Sequence, residues 1–233
     1  MGLHFEREIE RLKRRLLALG ALVEEDLHKA FVAMETGDLD LAREVIATDM
    51  AIDEQEVEIE EECLKILALH HPVAGDLRFI VAVNQIDNEL ERIGDLSANI
   101  CARTLELGRQ PHPPLPQTVL DMMGRIELML AGTLDALVQR DAELARRLLQ
   151  DDRVIDALFA RLIAELKEQI REDLEQLDAL IIVFTISRYL ERLADRMTNI
   201  CEEVIYMVEG EIVRHQAPSA CDQILEQELR AEK

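Results

Sequence analysis

The stretch LERIGDLSANIC, Leu90 to Cys101, returns 100 residues later as LERLADRMTNIC, Leu190 to Cys201, with seven of twelve positions identical. Working outward, Asp49-x-x-Ile52-Asp53 returns at an offset of 103 as Asp152-x-x-Ile155-Asp156. Gly37-Asp-Leu-Asp-Leu-Ala-Arg43 returns at that same offset of 103 as Arg140-Asp-Ala-Glu-Leu-Ala-Arg146. The chain is therefore one unit written twice. The change of offset falls where the first copy carries the break His70-His-Pro-Val-Ala-Gly-Asp76.

The unit is helical. Apolar residues recur at threes and fours, as in Leu41, Val45, Ile52, Ile59, Cys63 and Ile66, which is one face of a helix. Thr36-Gly37-Asp38 reads as a helix stop followed by an Asp suited to N-capping. His71 before Pro72 is disfavoured in the helical region and marks a second break. Gly108 to Pro116 holds four of the six prolines and reads as a linker. The second copy has no proline between Leu158 and Asp178, so its matching turn is expected near Asp173 to Asp178. The β-branched run Ile181 to Ile186 alone favours a strand, but its repeat partner, Ile80 to Ile86, reads as helix. Both are assigned to helices. The expected fold is all-α, two tandem three-helix bundles: residues 1–108, a linker at 109–117, residues 118–210, and a charged tail at 211–233. In that tail Ile224, Leu225 and Leu229 offer at most a short amphipathic turn or two.

Composition narrows the function. The 233 residues carry 26 Lys plus Arg against 48 Asp plus Glu, a formal net charge of −22. Such a chain repels phosphate backbones and anionic lipid, which argues against nucleic-acid binding and attachment to anionic membranes. With 48% apolar residues, no Trp, two Tyr and five Phe, a core can form and must be aliphatic. Cys63, Cys101, Cys201 and Cys221 make no C-x-x-C pair and no disulfide framework, which points to a reducing cytoplasm. The N-terminal MGLHFEREIERLKRRLL has no apolar h-region, and the longest apolar stretch, Ala179 to Ile186, is far short of the ~20 residues of a membrane span. Direct membrane insertion is not expected.

The chemistry sits on the repeated helix. On a wheel at about 100° per residue with Glu91 at zero, Leu90, Ile93, Ser97 and Ile100 form the apolar face. Asp95 and Asn99 fall near +40° and +80°, away from that face. Glu191, Asp195 and Asn199 repeat the pattern, joined by Glu202 near +20°. Each copy thus displays an E-x-x-x-D-x-x-x-N ladder outward. Asp49 and Asp53, and likewise Asp152 and Asp156, lie at the edge of the apolar stripe of the neighbouring helix, so each bundle offers four carboxylates to one patch. A carboxylate pair at this spacing is common in an acidic chain, and most such pairs are solvated helix surface. The same ladder in both copies, at positions without a packing reason to match, favours a metal site. Stacked carboxylates repel, and a hard cation such as Mg²⁺, Mn²⁺ or iron relieves that repulsion with all-oxygen ligation. Arg92 and Arg192 offer an alternative neutralisation. A di-iron bundle needs two Glu-x-x-His motifs aimed into the core. Only Glu25-x-x-His28 is present, and it reads as solvated surface, just as His70 and His71 read as a loop cap. No phosphate-cradling glycine loop or nucleophile elbow accompanies these residues, so an enzyme is not indicated.

The chain resembles the PhoU family from about Phe5 to Gly210. The resemblance is carried by Leu67-Ala-Leu-His-His-Pro-Val-Ala-Gly-Asp-Leu-Arg78, by Leu90-Glu-Arg-Ile-Gly-Asp95 with Asn99-Ile100, and by Tyr189-Leu-Glu-Arg-Leu-Ala-Asp195 with Asn199-Ile200-Cys-Glu-Glu203. It implies two three-helix bundles and a regulatory role. PhoU-like proteins restrain phosphate uptake and the starvation response, linking the ATPase subunit PstB of the phosphate ABC transporter to the sensor histidine kinase PhoR. Some members carry multinuclear metal clusters on E(D)-x-x-x-D motifs, matched here by Glu91/Asp95 and Glu191/Asp195 and more loosely by Asp49/Asp53 and Asp152/Asp156. The expectation is a cytoplasmic regulator bearing Fe, Mn or Mg on surface carboxylates, with homodimerisation left open. A metal-free helical adaptor is the alternative reading, and a metal-dependent enzyme or metal store a third. Ala194 replaces Gly94 in the second ladder, Glu89 stands where Asp is usual, and His70 and His71 stand where other polar residues are usual.

Overall fold

The computed structural model describes residues 3–109 and 111–213. Cys221 and the amphipathic Ile224, Leu225 and Leu229 lie outside the described residues. The first copy folds as α1 (Leu3–Thr36), α2 (Leu39–His70) and α3 (Ala74–Leu107). The second folds as α4 (Gln117–Gln139), α5 (Ala142–Leu148), α6 (Asp152–Glu172) and α7 (Leu177–Glu209). A single 3₁₀ turn, Leu174–Gln176, precedes α7 within the stretch where a turn was expected. The β-branched run of residues 181–186 is helical, as its repeat partner required.

Local chemistry explains where the helices start and stop. The Asp38 carboxylate accepts from the amides of Asp40 and Leu41 at 3.1 and 3.0 Å, and Asp141 accepts from Leu144 at 2.9 Å. Those bonds satisfy donors a helix start leaves orphaned. Gly37 ends α1 in the left-handed region at φ +71°, and its repeat partner Arg140 ends α4 there at φ +54°. Such a conformation costs a non-glycine residue ~1–2 kcal/mol. The Arg140 guanidinium in turn lies 5.2 Å from the centre of the Phe79 ring, tying α4 to α3. His71, at φ +46°, caps α2 by donating its amide to the Leu67 carbonyl.

The second copy departs from a plain three-helix bundle. The counterpart of α2 is divided into α5 and α6. At the junction the amides of Gln150, Asp151 and Val154 bond to carbonyls three residues back rather than four, so the helix tightens and kinks there. A single hydrophobic cluster runs through both copies, from Phe5 and Leu12 of α1 to Val204 and Met207 of α7. Helices α3 and α7 pack on each other; α1 and α2 flank α3, while α4, α5 and α6 flank α7. Between α2 and α3 the approach is close. A Cβ placed on Gly94 would stand 2.8 Å from Ile52 Cδ1.

Candidate functional site

Helix α3 is buried more widely than its apolar stripe implied. Leu96, about 140° from Glu91 on the wheel, is buried, and so is Gly94. Because α1, α2 and α7 all pack on α3, only a narrow strip faces solvent, and the ladder runs along it beside α2. Asp95 and Asn99 are exposed, whereas Glu91 is half-buried. In the second copy Glu191, Asp195, Asn199 and Glu202 are all half-buried. The outward placement read from the wheel therefore holds for part of the first ladder, and the second ladder is sunk into its seam. Asn99 donates its amide to the Asp95 carbonyl at 2.8 Å, bracing the ladder on its own helix.

The facing helices bring their carboxylates to the same seams. Asp49 is half-buried and Asp53 exposed on α2; Asp152 is half-buried and Asp156 exposed on α6. Burial raises the Asp49 pKa, and the charges of Asp95 and Asp53 add to it. Glu91 is pushed up to about 6 by burial first, then by Asp95, with Asp53 and Glu56 contributing and Arg92 opposing. In the second copy, burial takes Asp152 to about 6, reinforced by Asp156, Asp195 and Glu191. Burial also raises Glu191 and Asp195; Asp156 adds to both, while nearby arginines pull both down. Each seam is thus a site of mutual carboxylate repulsion, the condition a cation relieves. One Asp49 carboxylate oxygen is buried with no hydrogen-bond partner, an orphaned acceptor in the first seam. Among the described residues, no three His, Cys, Asp or Glu side chains already converge at ion-holding distance. The donor set fits a hard cation, and closure onto one needs side-chain rotation.

Other candidates have local roles. Glu25 pairs with Lys29 at 2.8 Å, and His28 Nδ1 meets Glu127 Oε1 at 2.8 Å, bridging α1 to α4. His70 Nε2 meets the buried Glu8 carboxylate at 2.5 Å. Cys101 and Cys201 are fully buried, and Cys201 Sγ lies 3.5 Å from Thr133 Oγ1.

Buried carboxylates are not evident from the sequence, and two of them stand out. Asp87 (0% exposed) and Asp26 (1% exposed) have no hydrogen-bond partner on either carboxylate oxygen. Asp87 stands four residues before Glu91, one turn away on the same helix, and its repeat partner is Ser187. Those two facts were the available signal.

The site residues of both seams, and most of each copy, fall inside a match to the PhoU domain over residues 16–104 and 119–204. The chain belongs to the PhoU family. Similar family members include the phosphate-specific transport system accessory protein PhoU of Edwardsiella tarda, 33% identical over 98% of this chain and 94% of the relative. The PhoU protein of Escherichia coli K12 is 34% identical over 95% of this chain and 92% of its own length. Among solved structures, PhoU from Pseudomonas aeruginosa aligns with a TM-score of 0.86 at 34% identity, over 89% of this chain and all of that one. A PhoU from Streptococcus pneumoniae aligns at 0.83 with 32% identity, over 90% of this chain and 99% of that one. No helix among the described residues is long and apolar enough to cross a membrane.

Proposed function

We propose that the chain is an accessory regulator of phosphate transport, restraining a phosphate ABC transporter and its starvation-sensing histidine kinase when phosphate is plentiful. The observation that carries this reading is similarity along nearly the whole chain, 98% of it in one case, to relatives named accessory proteins of phosphate-specific transport. The role is docking rather than catalysis, performed in the cytoplasm on the transporter ATPase subunit and the kinase.

The two acidic seams are the control element in this proposal. Glu91, Asp95 and Asn99 with Asp49 and Asp53 would hold Fe, Mn or Mg in the first copy. Glu191, Asp195, Asn199 and Glu202 with Asp152 and Asp156 would do so in the second. A bound cation neutralises the carboxylates there. The chain's own residues fix the donors in place: Gly94 lets α2 approach α3, and Asn99 braces the ladder. In a chain of net charge −22, neutralising a seam changes the local sign of the surface a partner meets.

The test is partner affinity on a capture surface at low and high salt, with and without chelator, for the native chain and for Asp95→Asn/Asp195→Asn. Chelation and the double substitution are each expected to weaken binding by about tenfold, equivalent to 1.4 kcal/mol. Equal binding in every sample would leave a metal-free helical adaptor. No binding to either partner would remove the phosphate-transport reading.

A further inference from the structure

We propose that Asp87, together with Glu56 and Glu60 of α2, binds one divalent metal ion at a site separate from the repeated ladders and built into the first copy alone. Asp87 is completely buried, and neither of its carboxylate oxygens has a hydrogen-bond partner. The groups whose charge acts on it are all acidic: Glu56 and Glu60 across the seam on α2, and Glu91 one turn along on α3. A buried carboxylate ringed by carboxylates is unstable as an isolated feature, and a divalent ion supplies what the side chains around it do not. Glu56 is half-buried, with its Oε1 3.5 Å from the Asn88 amide nitrogen, and Glu60 is exposed. An ion would reach Asp87 from the α2 side, past these two glutamates. Rotation of these two long side chains onto Asp87 would gather the three carboxylates around the ion, an arrangement not already formed among the described residues.

The second copy shows that the fold itself has no need of these acids. At the matching positions Asp87 becomes Ser187, Glu56 becomes Phe159, Glu60 becomes Ile163, and the neighbouring Cys63 becomes Leu166. There Ser187 is buried with its hydroxyl donating to the Phe184 carbonyl at 2.7 Å, and the rings of Phe159 and Phe184 stack at 6.3 Å. One seam is closed by hydrocarbon and a locally satisfied hydroxyl, while the other keeps three acids around an unpartnered buried group. The oxygen donor set suits a hard ion such as Mn²⁺ or Mg²⁺.

The probe is Mn²⁺, followed by calorimetric titration and by the electron paramagnetic resonance of free ion, on the full chain in an Asp95→Asn/Asp195→Asn background. One Mn²⁺ is expected to bind there and to raise the melting temperature. Adding Asp87→Ser, the residue the second copy uses, should remove that ion and that rise while helical circular dichroism is unchanged. Glu56→Gln/Glu60→Gln should weaken binding about tenfold or more. Failure of the ladder reading would appear as equal loading of the native chain and the ladder variant, which leaves the effect of Asp87→Ser readable. The site is overturned if the ladder variant binds no Mn²⁺ with Asp87 intact, or if Asp87→Ser leaves stoichiometry and melting response as they were.

Discussion

Asp26 shows at residue scale what burial does to an acid in this chain. Only 1% of it is exposed, and both carboxylate oxygens lack hydrogen-bond partners. Burial pushes its pKa from 3.8 to about 6; Lys29 opposes this, while Glu25 on the same helix and Glu44 and Asp49 on α2 reinforce it. From α3 the Cys101 thiol, itself raised to about 12 mainly by burial, faces the same carboxylate. The repeat partner Cys201 meets a neutral hydroxyl, Thr133, at 3.5 Å instead. Because the folded-state pKa lies above the unfolded one, the stabilising protonated state is fully present below about pH 4 and lost as pH rises through about 6. Asp26→Asn is therefore expected to stabilise the chelated protein at pH 7.5 by up to about 3 kcal/mol, with the gain vanishing near pH 4. Urea melts at the two pH values check this, and a gain of equal size at both would contradict the assignment to ionisation.

Helix ends were the part of the elements most legible in the sequence, because capping is a local interaction between a side chain and the next turn. Asp38→Ala removes two hydrogen bonds that backbone amides donate at the start of α2 and should cost about 1 kcal/mol in a chemical melt. The helicity of residues 181–186 needed the repeat, since β-branched composition alone pointed the other way. The tightened turn between α5 and α6 carries no proline or glycine, and nothing in Leu149-Gln-Asp151 announced it. The burial of Leu96 and the partial burial of the ladders were illegible for a different reason. A wheel shows which face is apolar but not how many neighbours a central helix acquires. The burial of Asp87 and Asp26 is hidden from the sequence for the same reason, although the break in repeat symmetry at Ser187 is visible. Close packing gives the element-scale test. Gly94→Ala sets a Cβ against Ile52, while the second copy already carries a buried Ala194. The substitution should force α2 outward at a cost of about 1–3 kcal/mol and widen the first seam. Metal affinity is expected to fall in the first copy and hold in the second, read by titrating Gly94→Ala against Asp95→Asn and Asp195→Asn single variants.

The sequence shows two copies, but the folded molecule has one main core that both share, beside a small second cluster around Ala30, Val45 and Cys101. The hydrophobic cluster passes without interruption from α1 and α3 into α4 and α7, and α3 and α7 lean on each other as well as on their own bundles. Polar links cross the same boundary. Arg196 Nη1 meets Glu89 Oε2 at 3.2 Å, Arg140 covers Phe79 at 5.2 Å, and His28 reaches Glu127 at 2.8 Å. Partly exposed pairs of this kind add little each, about 1 kcal/mol or less, so the apolar contact between α3 and α7 must dominate the coupling. Unfolding one copy would uncover that face of the other and leave it in water. Half-unfolded states are therefore penalised from both sides, and the chain should melt as a single cooperative unit in chelator. Differential scanning calorimetry reads this directly: the calorimetric and van't Hoff enthalpies should agree, and Asp38→Ala, although confined to the first copy, should shift the whole transition. Two resolved transitions, with only one displaced by that substitution, would mean that the copies are independent domains held by a linker. Any signalling between the two acidic seams would then need another route than the shared core.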